Sequence, residues 1–383
     1  MSGSDRIVSE RLAGYILGGT MQNIAIIYGG KSCESEISVL TALSVFSAVE
    51  KKYAAELVYL KDGRFYVGKK LQKIDSYRDF SIKGLKKVTF INGKMYCSGF
   101  PRRAKKIDCA VVCCHGGEGE NGSLSGLLEI AGIAYTSCGP LQSAVCMDKI
   151  FTKYLLRYFR IPTLPFRVYR KGEENVFPEI EYPVILKPAS LGSSIGISFA
   201  ENAIEAEKKA QEALVFDEKI LVEPALKNFR EFTCAVFREK DEIVVGQIEE
   251  VISEKAFYSY DEKYRGGDVK RVYPAQIPTA LENKIYRVCQ KIYEYFEMKG
   301  IVRIDFLDDG KLYVNEINTV PGALSWYLFK GRGYDMLSLC RSLIEEGIKI
   351  KESKDALFTD FSGTLLDGFN ACGKGKGIGK TDG

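Results

Sequence analysis

Apolar residues at the start of the chain form a run of strand length, and a helix-length amphipathic stretch follows it. The run NIAIIY at 23–28 predicts a buried strand, which the pair Gly29 and Gly30 ends. A helix is predicted over about 34–49. Further short strands are predicted at 56–60, 65–68 and 88–91.

A second apolar run, IDCAVVCCHG at 107–116, has almost no polar position. Such a run predicts an interior parallel strand, because parallel strands are covered on both faces. Helices are predicted over 124–131 and 142–160, and the pair Ile161 and Pro162 ends the second of them. Strands that alternate with helices indicate an α/β arrangement in this part of the chain.

The pattern changes after the first half of the chain. Runs at 182–188 and 219–226 predict strands on either side of a Gly/Ser loop and a helix over about 202–215. Three strands then follow with no helix between them, namely REFTCAVFR, EIVVGQIEEVI and VKRVYP, and such consecutive strands pair antiparallel. The remaining predicted elements are a helix, a hairpin and a helix, at 280–298, 300–318 and 334–349. This second region is therefore predicted to be α+β.

The composition is that of a folded globular chain, with 46% hydrophobic and 27% charged residues. The net charge of +4 is too small to indicate nucleic acid or an anionic membrane as the main partner. No apolar run has the length of a transmembrane helix. Eleven cysteines without a CxxC pair, beside one histidine, argue against a Cys/His zinc site. Their odd number and the lack of a secretory leader indicate reduced thiols in a cytoplasmic protein.

Polar residues of the hairpin at 300–318 carry the most specific signal. Arg303 and Asp305 are two apart on one predicted strand, and Glu316 and Asn318 are two apart on the next. Because side chains alternate with a period of two along a strand, each pair lies on one face. Two carboxylates, an amide and an arginine are therefore expected to meet on one patch.

This patch has two interpretations. Carboxylate and amide oxygens are ligands that suit Mg²⁺, which takes the rest of its shell from water and phosphate, and an arginine beside them would stabilise a transferring phosphoryl group. The alternative is a solvated hairpin face with cross-strand ion pairs. The loop KPASLGSSIGIS favours the first interpretation, since Lys187 and the backbone and hydroxyls around Ser194 form a cradle suited to phosphate. Downstream, Glu223 and Glu231 can accept hydrogen bonds from an adenine amino group and ribose hydroxyls, although most such glutamates are simply exposed.

These segments together resemble a known family. The Gly/Ser loop, the Glu223 segment, RID at 303–305 and EINTVPG at 316–322 stand in the order found in ATP-grasp ligases. Four further blocks are similar to signature blocks of the D-alanyl-D-alanine ligases: GGKSCESEIS, HGGEGENGSLSG, CMDK and FYSYDEKY. The resemblance spans roughly residues 21–350.

The resemblance implies a role for each matching residue. Lys149, Lys187, Ser194 and Lys263 would contact ATP, Glu223 and Glu231 would bind its adenine and ribose, and Asp305, Glu316 and Asn318 would hold two Mg²⁺ ions, with Mn²⁺ as an alternative. Glu34, Ser193 and Tyr264 would form a hydrogen-bonded trio that positions the first substrate, and Arg303 with the Gly322 backbone N–H would stabilise an oxyanion. His115, Tyr327 and Leu328 would lie in the substrate site, although His115 is equally explained as a structural residue at a strand end.

The implied fold is an ATP-grasp fold with an N-terminal parallel-sheet domain. The expected division is a leader or tag at 1–20, an N-terminal α/β domain at 21–140, a central ATP-grasp subdomain at 141–226, a C-terminal ATP-grasp subdomain at 227–353, and a polar, Gly-rich tail at 354–383. A homodimer is compatible with the resemblance.

The implied function is ATP-dependent joining of two D-alanines through an acyl phosphate, for peptidoglycan precursor synthesis and so for cell-wall biogenesis and cell shape. One departure leaves the acceptor open: Tyr327 stands where the family usually has a serine that helps to hold the acceptor carboxylate. The alternatives are a ligase with another acceptor, such as D-serine, and a nucleotide-binding relative without catalysis. Neither nucleic acid nor a membrane is expected as a partner.

Overall fold

A computed structural model describes residues 21–99, 103–173, 177, 180–253 and 269–357. Two parts of the predicted division, the leader at 1–20 and most of the tail at 354–383, lie outside these residues. No helix in the described ranges combines the length and apolar character needed to cross a membrane.

The first sheet holds seven described strands in the order β6-β5-β4-β3-β2-β1-β7. They are β1 (Asn23–Gly29), β2 (Ala54–Lys61), β3 (Arg64–Val67), β4 (Lys86–Ile91), β5 (Lys94–Cys97), β6 (Arg103–Lys106) and β7 (Cys109–Val112). β1 pairs parallel with both β2 and β7, and the other pairs are antiparallel. The helix predicted at 34–49 is confirmed as α1 (Ser35–Val49).

β7 is parallel, as its apolar run predicts, but it is shorter than expected and does not lie inside the sheet. It pairs with β1 alone, apart from an isolated bridge between Ala110 and Tyr135. All four of its residues are nevertheless buried. The apolar run therefore reflects coverage of both faces and not a central place among the strands.

The prediction of one long helix at 142–160 is wrong, because the segment forms two helices. The described helices after α1 are α2 (Gly117–Glu120), α3 (Ser123–Ile130), α4 (Pro140–Met147), α5 (Lys149–Tyr158), α6 (Ala203–Ala213), α7 (Thr279–Tyr295) and α8 (Met336–Asp355). The break falls at Asp148, whose backbone is extended and whose carboxylate accepts hydrogen bonds from the N–H groups of Ile150 and Phe151 at 2.9 and 3.1 Å. Such an N-cap starts a new helix and places Lys149 in its first turn.

Two antiparallel sheets form the rest of the fold. The antiparallel pairing predicted for the strands after residue 230 is confirmed, whereas that of the four-stranded sheet was not predicted. The four-stranded sheet has the order β10-β9-β11-β8. It consists of β8 (Arg167–Arg170), β9 (Val184–Pro188), β10 (Ser198–Ala200) and β11 (Lys219–Pro224). The six-stranded sheet has the path β15-β14-β12-β16-β17, with β13 paired to β12. It consists of β12 (Arg230–Glu239), β13 (Glu242–Val245), β14 (Glu249–Ser253), β15 (Val269–Val272), β16 (Val302–Asp308) and β17 (Leu312–Asn318).

The run EIVVGQIEEVI forms two strands, β13 and β14, and not one. Gly246, Gln247 and Ile248 separate them, and the Gln247 N–H donates to the Leu328 carbonyl at 2.7 Å instead of continuing the ladder. This hydrogen bond ties the six-stranded sheet to a helical segment, Gly322–Arg332, that follows β17.

One hydrophobic core joins the first sheet to the C-terminal part of the chain. From the N-terminal part it contains Ile24 of β1 and Val39 of α1. From the C-terminal part it contains Phe237 of β12, Leu328 of the segment Gly322–Arg332, and Leu343 of α8. The loop after β1 is therefore held against the segment after β17, which brings distant motifs into one cleft. The domain boundaries at 140/141 and 226/227 stay a prediction.

Candidate active site

A cleft that is open to solvent lies where the three sheets meet. Six of the residues predicted from the sequence line it: Glu34, Lys149, Ser193, Arg303, Glu316 and Asn318. They come from the loop after β1, the start of α5, the Gly/Ser loop, β16 and β17. The fold thus brings together motifs that are up to 284 residues apart in the chain (34 to 318).

The polar patch predicted on the hairpin is present. Asp305 lies directly opposite Glu316, and Arg303 lies directly opposite Asn318, so all four side chains share one face of the sheet. Ile304, on the other face, is fully buried in the core.

Arg303 and Asp305 form a bidentate ion pair. Arg303 Nε donates to Asp305 Oδ1 at 3.0 Å, and Arg303 Nη2 donates to Asp305 Oδ2 at 2.9 Å. Thr233 Oγ1 and Asn318 Nδ2 also donate to this carboxylate, at 2.9 and 3.1 Å. Burial acts to lower the pKa of Arg303, but Asp305 and then Glu316 outweigh it and raise the pKa, so the guanidinium stays charged.

A β-bulge at Asn315 shapes the same patch. Asp305 pairs with Glu316, but the next residue, Phe306, pairs with Val314, so Asn315 is the extra residue. Val314 shares sequence parity with Glu316 and yet lies buried in the core, because the bulge resets the alternation. Asn315 Oδ1 accepts a hydrogen bond from Lys187 Nζ at 3.1 Å, which links the hairpin to the four-stranded sheet.

Glu223 lies buried between two lysines. Lys187 Nζ is 2.7 Å from Glu223 Oε2, and Lys153 Nζ pairs with Glu223 Oε1. The side chains of Glu223 and Lys153 are 1% and 2% exposed, whereas that of Lys187 is 14% exposed. Burial acts to raise the pKa of Glu223, but the two ammonium groups outweigh it and lower the pKa to about 2. Glu223 is thus an ionised carboxylate with two counterions and not an exposed surface glutamate.

The Gly/Ser loop adopts the backbone of a cradle. Ser193 and Ser194 have φ values of 55° and 59°, in the left-handed region that non-glycine residues seldom adopt. Ser193 Oγ donates to Glu34 Oε1, which places the first two members of the predicted trio in contact. Lys149 Nζ donates to the Leu191 carbonyl of the same loop.

His115 is buried, and both of its ring nitrogens have partners. Nδ1 lies 2.6 Å from the Val320 carbonyl, which can only accept, so Nδ1 carries the proton. Nε2 lies 2.8 Å from Thr41 Oγ1, which itself accepts from the Ala323 N–H at 3.0 Å. Burial lowers the pKa of His115. The neutral ring therefore holds the backbone on both sides of Gly322. These contacts favour the interpretation of His115 as a structural residue.

The segment after Gly322 turns sharply. Ala323, Leu324 and Ser325 all have φ values near 50°, in the left-handed region (50°, 51° and 45°). Leu328, further along, is fully buried. The Tyr327 hydroxyl donates to Glu249 Oε2 at 3.1 Å.

The remaining predicted residues are placed as follows. Glu231 lies on β12 opposite Val251 and Leu307, and it is partly buried. Lys263 and Tyr264 lie outside the described residues. The predicted contact of Tyr264 with Glu34 and Ser193 therefore stays a prediction.

Several residues of the site were not predicted from the sequence. Glu120 lines the cleft, and its two carboxyl oxygens accept from the N–H groups of Gly116 and Val320 at 2.8 and 3.0 Å. Thr233, Lys153 and Asn315 also contact predicted residues. Glu120 could have been found from the sequence, because it belongs to the block HGGEGENGSLSG. Lys153 could not, because the sequence around it shows only the amphipathic pattern of a helix.

The donor set fits a hard divalent cation. Asp305 and Glu316 supply carboxylate oxygens and Asn318 an amide oxygen, all on one face beside the cleft. Within the described ranges, no group of three or more His, Cys, Asp and Glu side chains is arranged to hold a metal ion. Two carboxylates and one amide leave part of a Mg²⁺ shell to phosphate and water oxygens.

Comparison with known proteins gives a consistent result. Residues 23–138 match the family model "D-ala D-ala ligase N-terminus", and residues 155–345 match "D-ala D-ala ligase C-terminus". The D-alanine–D-alanine ligase of Thermosipho melanesiensis is 36% identical over 354 residues, which is 89% of this chain and 97% of that protein.

Solved structures have the same fold. The D-alanine-D-alanine ligase of Coxiella burnetii has a TM-score of 0.76 at 24% identity, covering 88% of this chain and 96% of that one. The VanG D-Ala:D-Ser ligase of Enterococcus faecalis has a TM-score of 0.75 at 28% identity, covering 87% and 100%. The predicted ATP-grasp fold is thereby confirmed.

Proposed function

The chain belongs to the D-alanine–D-alanine ligase family, and from this we infer that it is an ATP-dependent ligase that joins two D-alanine molecules. The product would be the dipeptide used in peptidoglycan precursors, and so in cell-wall biogenesis and cell shape. The observation that carries the proposal is the patch of Arg303, Asp305, Glu316 and Asn318 at the cleft, opposite the Glu34 and Ser193 pair.

The nucleotide would lie between the Gly/Ser loop and the hairpin. Lys149 donates to a carbonyl of the loop, Lys187 lies on the strand before it, and phosphates would draw Lys187 away from Glu223. Lys153 would then keep Glu223 ionised, so that Glu223 can accept a hydrogen bond from the adenine amino group. Ser194, Glu231 and Lys263 complete the proposed nucleotide contacts.

The first D-alanine would bind beside Glu34 and Ser193. Their hydrogen bond fixes both side chains at the cleft wall, which restricts the orientation of a bound amino acid. Tyr264 is the proposed third member of this group. The carboxylate of the first D-alanine attacks the γ-phosphorus of ATP, and the bond from that phosphorus to the bridging oxygen of ADP breaks.

The acyl phosphate so formed would react with the second D-alanine. Its amine attacks the acyl carbon, a tetrahedral oxyanion forms, and inorganic phosphate leaves as the amide bond is completed. Arg303 and the Gly322 N–H would stabilise the oxyanion, because fixed donors aimed at a developing charge lower the barrier. The contacts of His115 and Thr41 hold the backbone at Gly322 in place.

Two Mg²⁺ ions, with Mn²⁺ as an alternative, belong to the proposal. Asp305, Glu316 and Asn318 would hold them, and bound ions would neutralise the charge of the phosphates. The Asn318 amide and Thr233 hydroxyl keep Asp305 oriented on this face.

The proposal also covers the organisation and location of the protein. Its domains would meet at 140/141 and 226/227, it would act in the cytoplasm, and it would form a homodimer. Eight of the described cysteines are buried as free thiols, which suits a reducing compartment.

The acceptor is the point at which a second candidate function enters. Tyr327 replaces a serine that the family usually uses there, and its hydroxyl is engaged by Glu249. A ligase with D-serine or another amino acid as acceptor is therefore the alternative. Loss of catalysis is not favoured, since Arg303, Asp305, Glu316 and Asn318 are all present on one face.

The test is ADP release with product identification by mass spectrometry. We expect D-Ala-D-Ala and one ADP per dipeptide when ATP, Mg²⁺ and D-alanine are all present. L-Alanine is the matched control and should give neither product. ADP release without a dipeptide from any D-amino acid would contradict the proposed function.

A further inference from the structure

Three side chains beside the predicted hairpin patch form a contiguous group, which we call the Glu249 cluster: Glu249, Arg271 and Tyr327. Arg271 Nη1 donates to Glu249 Oε2 at 2.9 Å, and the Tyr327 hydroxyl donates to the same oxygen at 3.1 Å. Glu249 is 1% exposed, whereas the Arg271 side chain is 46% exposed. The cluster is thus a buried carboxylate that holds a half-exposed arginine and a phenol.

The cluster continues the polar row of the candidate active site. Glu249 on β14 lies opposite Thr233 on β12, and Thr233 lies opposite Asp305 on β16, which pairs with Glu316. Directly opposite residues of antiparallel strands present their side chains on the same face. The same sheet face therefore runs from the hairpin patch to Arg271 on β15, whose strand partner is Val251, two residues from Glu249.

Tyr327 connects the cluster to Arg303. Burial and the Glu249 carboxylate raise the pKa of Tyr327, while Arg303 and Arg271 act in the opposite direction, so both cations act electrostatically on the phenol. The hydroxyl has one proton, and it points at Glu249. Tyr327 cannot donate that proton to a substrate carboxylate at the same time.

An acceptor amino acid brings a carboxylate into this region, and a desolvated carboxylate needs a cation or several hydrogen-bond donors. Arg303 already has two of its N–H groups on Asp305, and the proposed reaction uses it for the oxyanion. Arg271 has a planar fork that suits a carboxylate, and one of its nitrogens is held by Glu249, which fixes its position.

We propose that Arg271 binds the carboxylate of the acceptor amino acid, and that Glu249 and Tyr327 are positioning residues that hold Arg271 in place. This inference rests on the proposed ligase activity, and it names the acceptor as a D-amino acid with a free carboxylate. In this chain an arginine on β15 takes over the part that the serine hydroxyl usually plays after Gly322.

The experiment compares two acceptors, D-alanine and D-alaninamide, with D-alanine as the first substrate in both. D-Alaninamide has the amine but no carboxylate, so it can act only as the acceptor. The variants are Arg271→Met, Arg271→Lys and Glu249→Gln. The matched control is Arg230→Met, which removes a bidentate ion pair with Glu250, at 2.7 and 2.8 Å, between β12 and β14 on the opposite face of the same sheet.

The wild-type enzyme should prefer D-alanine to D-alaninamide by about tenfold or more in kcat/KM for the acceptor. Arg271→Met should abolish this preference by raising the acceptor KM, with KM for ATP unchanged. Arg271→Lys should restore part of it, and Glu249→Gln should weaken it several-fold. Arg230→Met should keep the wild-type preference.

Two failures are distinguishable. If the wild-type chain forms no dipeptide, the proposed function is wrong. If the wild-type chain forms the dipeptide and Arg271→Met retains its preference for D-alanine over D-alaninamide, the proposed function stands and the role of Arg271 is rejected.

Discussion

The Lys187 ammonium lies 2.7 Å from a Glu223 carboxylate oxygen. Lys153 occupies the other oxygen of the same carboxylate, deep in the interior. The two lysines are not equivalent, because the Lys187 side chain is 14% exposed and that of Lys153 is 2% exposed. In the proposed function Lys187 would leave Glu223 for a phosphate, and Lys153 would keep the buried carboxylate paired.

Lys153→Met should destabilise the fold, since it removes one of the two counterions of the buried Glu223 carboxylate. Lys187 still pairs with Glu223 in the variant, so the loss should be about 1–3 kcal/mol, below the cost of a buried charge with no counterion. The measurement is the free energy of unfolding in urea. Lys209→Met is the control, because Lys209 pairs with Glu212 at the surface and such pairs contribute about 0.5 kcal/mol or less. Equal losses in both variants would show that Lys153 is not a structural counterion.

Arg303→Lys should be nearly as damaging to turnover as Arg303→Ala. A lysine keeps the charge but cannot reproduce the two parallel hydrogen bonds to Asp305 and present a fixed donor to an oxyanion as well. Both variants should lower kcat by about a hundredfold or more, measured as ADP release at saturating substrates. If the lysine variant kept most of kcat, Arg303 would be an ordinary ion-pair partner of Asp305.

Glu316→Gln should abolish turnover while the fold survives. Glu316 is a proposed Mg²⁺ ligand, and it lies opposite Asp305 without contributing to the Arg303 ion pair. Removing one carboxylate from so small a donor set weakens ion binding and the stabilisation of phosphate charge. The assay is ADP release against Mg²⁺ concentration, beside circular dichroism as the check on folding. Near-normal activity at saturating Mg²⁺ would reject the metal assignment.

The polar patch could be predicted from the sequence because it depends on strand periodicity alone. Arg303 and Asp305, like Glu316 and Asn318, share a face whatever the rest of the fold does. Val314 could not be placed in this way, because the bulge at Asn315 shifts the register by one residue. A bulge depends on how the neighbouring strand is packed, and the apolar pattern of one strand does not contain that information.

The partners of Glu223 illustrate a second limit. Glu223 was predicted as a nucleotide contact from its segment, but its burial between Lys153 and Lys187 depends on how α5 packs on the four-stranded sheet. Lys153 is separated from Glu223 by 70 residues (223 − 153). Likewise, His115 had two interpretations until the positions of Thr41 and Val320 were known.

Glu120 is expected to make stability depend on pH. Burial, and then the nearby charge of Glu34, raise the pKa of Glu120 to about 8, although two backbone N–H groups act against this. In the unfolded chain the pKa returns to about 4.5. Between these two values the folded state binds a proton that the unfolded state releases. The contribution of Glu120 to stability is therefore fully present below pH 4.5 and is lost as the pH rises towards 8.

Glu120→Gln should remove this dependence, because glutamine stays neutral at every pH. The measured quantity is the free energy of unfolding of the wild type minus that of the variant, from urea titrations between pH 5 and 8. It should fall by on the order of 3 kcal/mol across this range, since the range lies between the two pKa values and each pH unit within it corresponds to at most about 1.4 kcal/mol. Taking the difference removes the opposite effect of His115, whose lowered pKa makes the fold lose stability as the pH falls below about 6.5. Glutamine can lose one of the hydrogen bonds from Gly116 and Val320, so the absolute stabilities differ, and only the slope is decisive. Parallel profiles for the two proteins would show that Glu120 is already ionised in the folded state at pH 5.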